Sequence, residues 1–499
     1  MILLPRYIKL LFTLLPLFFF FNISIGAPNI VLMLSDDQGW DGLSVQMHPD
    51  VDSSKSDLYY TPRLEELAAQ GMRFSAFYSP SSVCAPTRIS LQTGISPAKN
   101  KWTKAAPTIT AERNFPMVPI PHRRAILEDE ITIGEVLQSK GYMTAHYGKW
   151  HISGGGPELH GYTESDGDTS NGNAYDITSS DNPLDVYGMS QRALDFMKRS
   201  SEEGRPFFIQ ISYYPLHEQQ EASPLTIKKV KQRPIGLIHH DYLVAAITED
   251  LDSGVGVILD GIEELNLSDN TYIIYMGDNG QRAYEHNSNC SFTEVCINRE
   301  EHAALTGAKG NVSEGGIRVP FIIKGPGINK NSWSHTQAVG YDLFPTFAEW
   351  AGIDKQELPK NIEGGSIASI LENNGIGEIN RIKEELVFHF PHYQDGSPQS
   401  AIFLDDYKLI KYYEINKTVL FNIVEDIGEK NNLISTFPNK AAELEIILDT
   451  YLKSINADIP AINTSYDFSK PRTPSINRNG NKVYYNPMIE LNRIYYPRN

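Results

Sequence analysis

Two short stretches of this sequence, Ser35-Asp36-Asp37-Gln38-Gly39 and Gly277-Asp278-Asn279-Gly280, gather side chains that could do chemistry together. Asp36, Asp37, Asp278 and Asn279 offer only oxygen donors, the set that suits hard divalent cations such as Ca2+ or Mg2+. No His/Cys group with zinc spacing accompanies them, which disfavours zinc. Either stretch alone reads as a plain turn; the metal reading rests on both standing at matching strand ends. Arg88, Lys149 and Lys309 add three cationic side chains. Three aspartates, a divalent ion and these cations leave the hollow locally positive, so it would trap an anion. Cations clamped on transferring oxygens also stabilise a charged transition state. His151 and His217 can exchange protons near neutral pH. Cys84 completes the set, two residues before Pro86 and four before Arg88 in "SPSSVCAPTRISLQTG".

The cysteine is odd because the chain reads as exported. Arg6 and Lys9 precede the apolar run "LLFTLLPLFFFF", and Ser24-Ile25-Gly26 supplies small residues for cleavage. Residues 1–26 therefore read as a secretory signal peptide, which places the mature protein in the periplasm or medium with no stable membrane insertion. Exported thiols are usually paired. The chain has three cysteines, and Cys290 and Cys296 are close enough to close a small loop disulfide. That pairing leaves Cys84 single and in need of a chemical explanation. The 499 residues are 41% hydrophobic and 21% charged, an ordinary globular composition. The formal charge of −17 comes without a basic run, so nucleic acid is not expected as a partner. It does not exclude an anionic substrate, because screening confines distant charges to about 8 Å.

The elements that must position these residues follow from the pattern. "NIVLMLS" is a short apolar run of the kind buried on both faces of a sheet. Thr61-Pro62 opens a helix, with Thr61 as N-cap and Gly71 as the stop. "MRFSAFY" reads as a strand leading into the Cys84 loop. Thr132 and Glu135 form a capping box, and the helix they open leads to strand "YMTAHY". "PFFIQISYY" and "TYIIYMG" are further strands, separated by a helix over about 241–265. Strands alternating with helices predict an α/β fold with a mainly parallel sheet. Each of the five strands delivers a polar cluster past its carboxyl end: Asp36/Asp37, Cys84/Arg88, Lys149/His151, His217 and Asp278/Asn279. Open α/β sheets bind ligands at that edge, so one site should collect all five. From about residue 384 four short strands come close together, then a helix at 440–455 and a Pro/Asn-rich tail. This gives an expected division into a signal peptide (1–26), a catalytic domain (27–383) and a smaller antiparallel α+β subdomain with its tail (384–499).

The motifs together resemble the sulfatase family. "CAPTR" is similar to its C-x-P-x-R signature, in which the cysteine is converted after synthesis to formylglycine (3-oxoalanine). "SDDQG", "GKWH", the histidine after "YYPL", "GDNG" and "GAKG" fall in the family's order, and the resemblance runs from about 29 to 455. Thr87 departs from it, since many relatives carry serine there, but keeps the hydroxyl. The resemblance implies an alkaline-phosphatase-like α/β/α sandwich with an antiparallel C-terminal subdomain. It also implies a maturation partner, either a formylglycine-generating or an anaerobic sulfatase-maturating enzyme. Ca2+ would be held by Asp36, Asp37, Asp278 and Asn279 and reached by residue 84. Asp278 would help deprotonate the attacking hydroxyl and Arg88 would orient the aldehyde hydrate. Lys149 and Lys309 would bind sulfate oxygens, His217 would protonate the leaving alcohol, and His151 would take the proton that releases sulfate. A hydrated aldehyde explains the single cysteine: one hydroxyl attacks sulfur and the second expels sulfate, an exit that serine or cysteine lacks.

The expected substrate is a sulfated carbohydrate, with an algal-type polysaccharide or its oligosaccharides favoured. His122, Arg123, Arg124, His160, His389 and His392 are candidate subsite residues. Three rival readings remain at this stage: a phosphate or phosphonate ester hydrolase of the same superfamily, an arylsulfatase for small aryl sulfates, and an inactive carbohydrate-binding relative.

Overall fold

The computed structural model describes residues 26–105, 115–173, 177–217, 220–282, 302–393 and 397–466, and the backbone at 475–476 and 482–483. Residues 1–25 of the expected signal peptide, and Cys290 and Cys296, lie outside the described residues.

Four apolar runs form the centre of an eight-stranded sheet. They are β1 (Asn29–Ser35), β4 (Met143–Gly148), β6 (Phe207–Ser212) and β7 (Thr271–Gly277), all parallel, in the order β7-β1-β6-β4. The register decides where their polar ends fall. Ser35 lies opposite Gly277, Leu34 opposite Ser212, and Gly148 opposite Ser212. All four strands therefore stop at one level, and the next residues of each emerge side by side. Alternate residues of β1 feed opposite cores. Val31 and Met33 pack with the helices at 186–202 and 242–264, whereas Ile30, Leu32 and Leu34 pack on the side of the helices at 84–93, 133–138 and 343–350. This three-layer α/β/α arrangement is the sandwich predicted from the sequence, and the helical cover on both faces is what a parallel sheet requires.

Two local expectations are corrected. "MRFSAFY" is not one strand. It divides into β2 (Met72–Phe74), near one edge of the large sheet, and β3 (Phe77–Tyr78), which pairs with Ala338–Val339 in a separate ribbon. The break falls at Ser75, whose carbonyl accepts from Arg318 and whose hydroxyl meets His335 Nδ1 at 2.7 Å. Thr61 also stands before its helix without capping it. Its hydroxyl accepts from Ser44 N at 3.0 Å, and the free N–H groups of Arg63 and Leu64 go to the Asp252 carboxylate at 3.0 and 2.9 Å. The Thr132–Glu135 capping box forms as read.

Past residue 384, β11 (Leu386–Phe390), β12 (Gln399–Leu404), β13 (Tyr407–Tyr412) and β14 (Lys417–Asn422) make an antiparallel meander. One face, with Phe388, Phe403 and Phe421, packs on Tyr78, Val83 and Val312, next to the loops that carry Cys84 and Lys309. The other, with Ile402, Leu409 and Leu420, is covered by the helix Pro438–Ser454. No helix among the described residues is long and apolar enough to cross a membrane.

His389 lies inside this subdomain, its Nδ1 2.6 Å from Ser400 Oγ and its Nε2 3.1 Å from Asp458 O. Burial pushes its pKa down to about 4. An unfolded histidine takes up a proton below about 6.5, so between 6.5 and 4 the unfolded chain binds more protons and stability falls as pH falls. The melting temperature should drop on acidification through this window. His389→Gln should flatten the slope by up to about 1.4 kcal/mol per pH unit; an unchanged slope would show that this ring does not carry it.

Candidate active site

The loops leaving the aligned strand ends converge as the sequence suggested. Asp36 follows β1 and is fixed by Asp36 N donating to Pro215 O (2.8 Å) and Leu216 N donating to Asp36 O (2.6 Å). Asp37 adopts left-handed φ of 60°, which is costly for a non-glycine residue and typical of functional turns. Its N–H donates to Asp278 Oδ1 at 3.0 Å, and Asn279 Nδ2 donates to Asp37 Oδ1 at 2.8 Å. The two oxygen-rich turns thus lock onto each other across the β1–β7 pair.

Cys84 begins the next helix (Cys84–Thr93), every residue of which is buried. Thr87, the departure from the usual serine, uses its hydroxyl twice: it accepts from Ser81 N and donates to Ser81 O, both at 3.2 Å. It thereby closes the loop that carries Cys84, a role that needs the hydroxyl threonine shares with serine. One turn on, Arg88 donates through Nε (3.1 Å) and a terminal nitrogen (2.7 Å) to Asp278 Oδ2, and through the other to Lys149 O. Lys149, fully buried, pairs with Asp36. Lys309 Nζ pairs with Asp37 at 2.6 and 2.9 Å and stands 3.4 Å from Cys84 Sγ. Each aspartate therefore faces its own cation. Ligand atoms of Asp36, Asp37, Cys84 and Asp278 all lie within 4.8 Å of one another, and His217 joins Asp36 and Cys84 within the same span. His151 sits at φ 60° with its ring Nδ1 buried and without a hydrogen-bond partner, and its backbone N–H donates to Thr169 O at 2.8 Å.

The charges explain the protonation states. Burial raises the Asp36 carboxyl, but Lys149, His217, Arg88 and Lys309 outweigh it and hold the group well below the usual range. Asp278 goes the other way, raised to about 7 by burial and by the neighbouring Asp36 against the pull of Arg88. Burial lowers Lys309, yet Asp37 more than restores it, leaving the ammonium firmly charged. Burial and Lys149 press His217 down to about 3. The Cys84 thiol is pushed up to about 12 by burial, despite Lys149 and Lys309. As encoded, residue 84 is a protonated thiol and a poor nucleophile at neutral pH.

The donor set fits a hard divalent ion. Asp36 Oδ1 and Asn279 Oδ1 are buried acceptors without a hydrogen-bond partner, a condition normally avoided and relieved by an oxygen-ligated cation.

A family model described as Sulfatase matches residues 28–353. The chain belongs to the sulfatase family. A second model, the C-terminal part of N-sulphoglucosamine sulphohydrolase, matches 308–457. Among similar proteins, a sulfatase of Formosa agariphila is 29% identical over 86% of this chain and 87% of its own. Human arylsulfatase A is 28% identical over 74% of this chain and 71% of its own. The solved structure of Ps i-CgsB in complex with k-i-k-neocarrahexaose superposes with a TM-score of 0.67 at 22% identity, covering 85% of this chain and 93% of the other. At that identity the likeness shows the fold. Membership in the sulfatase family makes the chain an enzyme of the sulfuric ester hydrolase class.

The expected subsite residues are less uniform. His160 is buried, stacked on Trp150 and hydrogen-bonded through Nε2 to Gly154 O, and His389 is held on both nitrogens; both belong to the interior. Arg123 is tied to Glu130 and to Ala125 O, whereas Arg124 is exposed. His122 and His392 meet ring to ring at 5.6 Å, and His392 Nε2 lies 2.7 Å from Thr103 Oγ1. Sequence reasoning missed Thr169. Its hydroxyl accepts from Trp150 N at 2.9 Å and donates to Gly148 O, which fixes the Lys149–His151 turn. No spacing rule marks an isolated threonine in a polar loop.

Proposed function

We propose that the protein removes sulfate from a sulfated carbohydrate, using Cys84 oxidised to formylglycine and a calcium ion held by Asp36, Asp37, Asp278 and Asn279. The observation that carries this reading is that ligand atoms of residue 84 and three carboxylates lie within 4.8 Å of one another, with the Lys309 ammonium against the sulfur. The oxidised side chain would supply a geminal-diol nucleophile, and the ion positive charge beside the ester. Lys149 and Lys309 would bind the sulfate oxygens and Arg88 would orient residue 84 from the adjoining helical turn. Asp278, raised toward neutrality, suits the transfer of a proton from the attacking hydroxyl. His217 would give its proton to the leaving oxygen; the negative charge of a bound ester opposes the burial and the Lys149 charge that keep it neutral in the free protein. His151 would accept the proton that releases sulfate.

A carbohydrate substrate is supported by solved structures of similar fold. One was solved in complex with k-i-k-neocarrahexaose, and another in complex with its substrate D-glucosamine-2-N,6-O-disulfate, at TM-scores of 0.67 and 0.64. We place the mature enzyme in the periplasm or medium, matured by a formylglycine-forming enzyme. Parallel assays on defined sulfated oligosaccharides, 4-nitrophenyl sulfate and the matching phosphate ester test the proposal. Release of sulfate from an oligosaccharide at a kcat/KM above that for either small ester is expected; a preference for the phosphate ester would overturn it. Mass spectrometry of the peptide containing residue 84 should show aldehyde in active material.

A further inference from the structure

A second group of buried charges stands directly behind the Lys309 loop. Glu314 Oε1 pairs with Lys408 at 2.8 Å, and Lys408 also pairs with Glu429 at 2.7 Å. Glu314 Oε2 accepts from Arg318 Nε at 2.6 Å and from Tyr78 OH at 3.1 Å. Lys408 belongs to β13 of the C-terminal meander, and Glu429 lies beyond β14. Two carboxyl groups thus face two cations, with Glu314 held ionised against burial by Lys408 and Arg318, and Glu429 raised to about 7 by burial. Such a cluster is a weak source of stability, because desolvation consumes most of the Coulomb attraction; what it fixes well is arrangement.

The residues it arranges are those around Lys309. Thr306 Oγ1 donates to Gly428 O at 2.6 Å, Val312 N to Gln399 Oε1 at 3.2 Å, and Glu314 N to Glu429 Oε2 at 2.8 Å. All three acceptors come from the C-terminal part of the chain. On the other side, Lys309 N donates to Gln281 O (2.8 Å) and Gly310 N to Ser82 O (2.9 Å). Lys309 is therefore gripped between the metal-side loops and the C-terminal sheet. Glu429 itself is buried in a left-handed conformation, φ 54°, a strain that persists only where the surroundings enforce it.

We propose that Lys408 and Glu429 are positioning residues for Lys309: through Glu314 and the Gly428 carbonyl, the C-terminal sheet sets where the Lys309 ammonium stands against residue 84. This rests on the reading that Lys309 binds the sulfate. The full chain is tested as Glu429→Gln, which keeps the shape and removes the charge, and as Thr306→Val, which removes only the hydroxyl bond to Gly428. Lys309→Ala is the reference, and Leu420→Ala, on the opposite face of the same sheet, is the stability control. The readouts are KM and kcat on 4-nitrophenyl sulfate, competitive inhibition by inorganic sulfate alone, and melting temperature. Glu429→Gln and Thr306→Val should raise KM and the sulfate inhibition constant together by roughly tenfold, equivalent to about 1.4 kcal/mol. Leu420→Ala should lower the melting temperature and leave both constants unchanged. If Glu429→Gln behaves like Leu420→Ala while Lys309→Ala weakens sulfate, the positioning role is wrong. If Lys309→Ala leaves sulfate inhibition unchanged, the reading of Lys309 fails instead. Should Glu429→Gln not fold, Thr306→Val decides alone.

Discussion

Cys84→Ala is expected to abolish turnover, by roughly a thousandfold or more in kcat, in a protein that remains folded. The fold survives for identifiable reasons. Residue 84 opens a helix, where alanine is the best-tolerated residue. The lost sulfur contacts should cost about 1 kcal/mol. Lys309, the cation on the sulfur, keeps both oxygens of Asp37. Turnover fails because no other described side chain of the site can replace the nucleophile. Asp36 and Asp37 are tied to lysines, Asp278 to Arg88, and both histidines are held as neutral bases. The unoxidised thiol offers no substitute, since with its pKa near 12 almost none is thiolate at pH 7. Activity should therefore track the aldehyde fraction measured by mass spectrometry across preparations. Single-turnover assays alongside a thermal melt check the variant. Residual turnover near the parent level, or activity in material carrying only thiol, would remove residue 84 from the nucleophile's place.

How much of this was legible in the sequence depended on the reach of the forces involved. Strand ends are local: an apolar run such as "NIVLMLS" stops where side chains can no longer be buried, and the next residues must stand at the sheet edge. Asp36, Lys149, His217 and Asp278 could thus be placed before any register was known. The motif "GAKG" marked Lys309 only through the family's pattern, because a lysine between glycines carries no period of its own. The split of 72–78 into two strands was hidden, since Ser75 answers to Arg318 and His335, 243 and 260 residues away. Thr61 illustrates the same limit in reverse. A threonine before Pro62 is a sound N-cap by preference, yet Asp252, 188 residues from Leu64, outcompetes it with a carboxylate for two N–H groups at once. The Glu314–Lys408–Glu429 group was unreadable for the same reason. Its partners are 94 and 115 residues from Glu314, and glutamate and lysine are by default surface residues. The residues proposed to do chemistry were visible and most of those that hold them were not, because the first kind sits at ends of elements and the second is chosen by packing.

Chelation is expected to do more than stop the enzyme: it should loosen the fold at this site. Without a cation, Asp36 Oδ1 and Asn279 Oδ1 are buried acceptors lacking partners, and burial together with the neighbouring Asp36 raises Asp278 to about 7. A calcium ion held there would bind the folded arrangement and not the unfolded chain, so it should add stability by mass action, about 4 kcal/mol when the free ion exceeds its Kd a thousandfold. EDTA-treated protein should melt at a lower temperature, and titrated Ca2+ should restore the melt and the sulfate release over the same concentration range. Mg2+, smaller and reluctant to shed water, should restore both less effectively at equal concentration. Asp278→Asn tests whether the ion's stabilising and catalytic roles are linked. It leaves Arg88 without its carboxylate and the ion with one fewer charged ligand, so the Ca2+-dependent rise in melting temperature should shrink along with activity. Were the melting temperature of the parent indifferent to EDTA and to added Ca2+, the oxygen-rich turns at 36–37 and 278–279 would be mutual braces between β1 and β7, satisfied by Lys149, Lys309 and Arg88 alone.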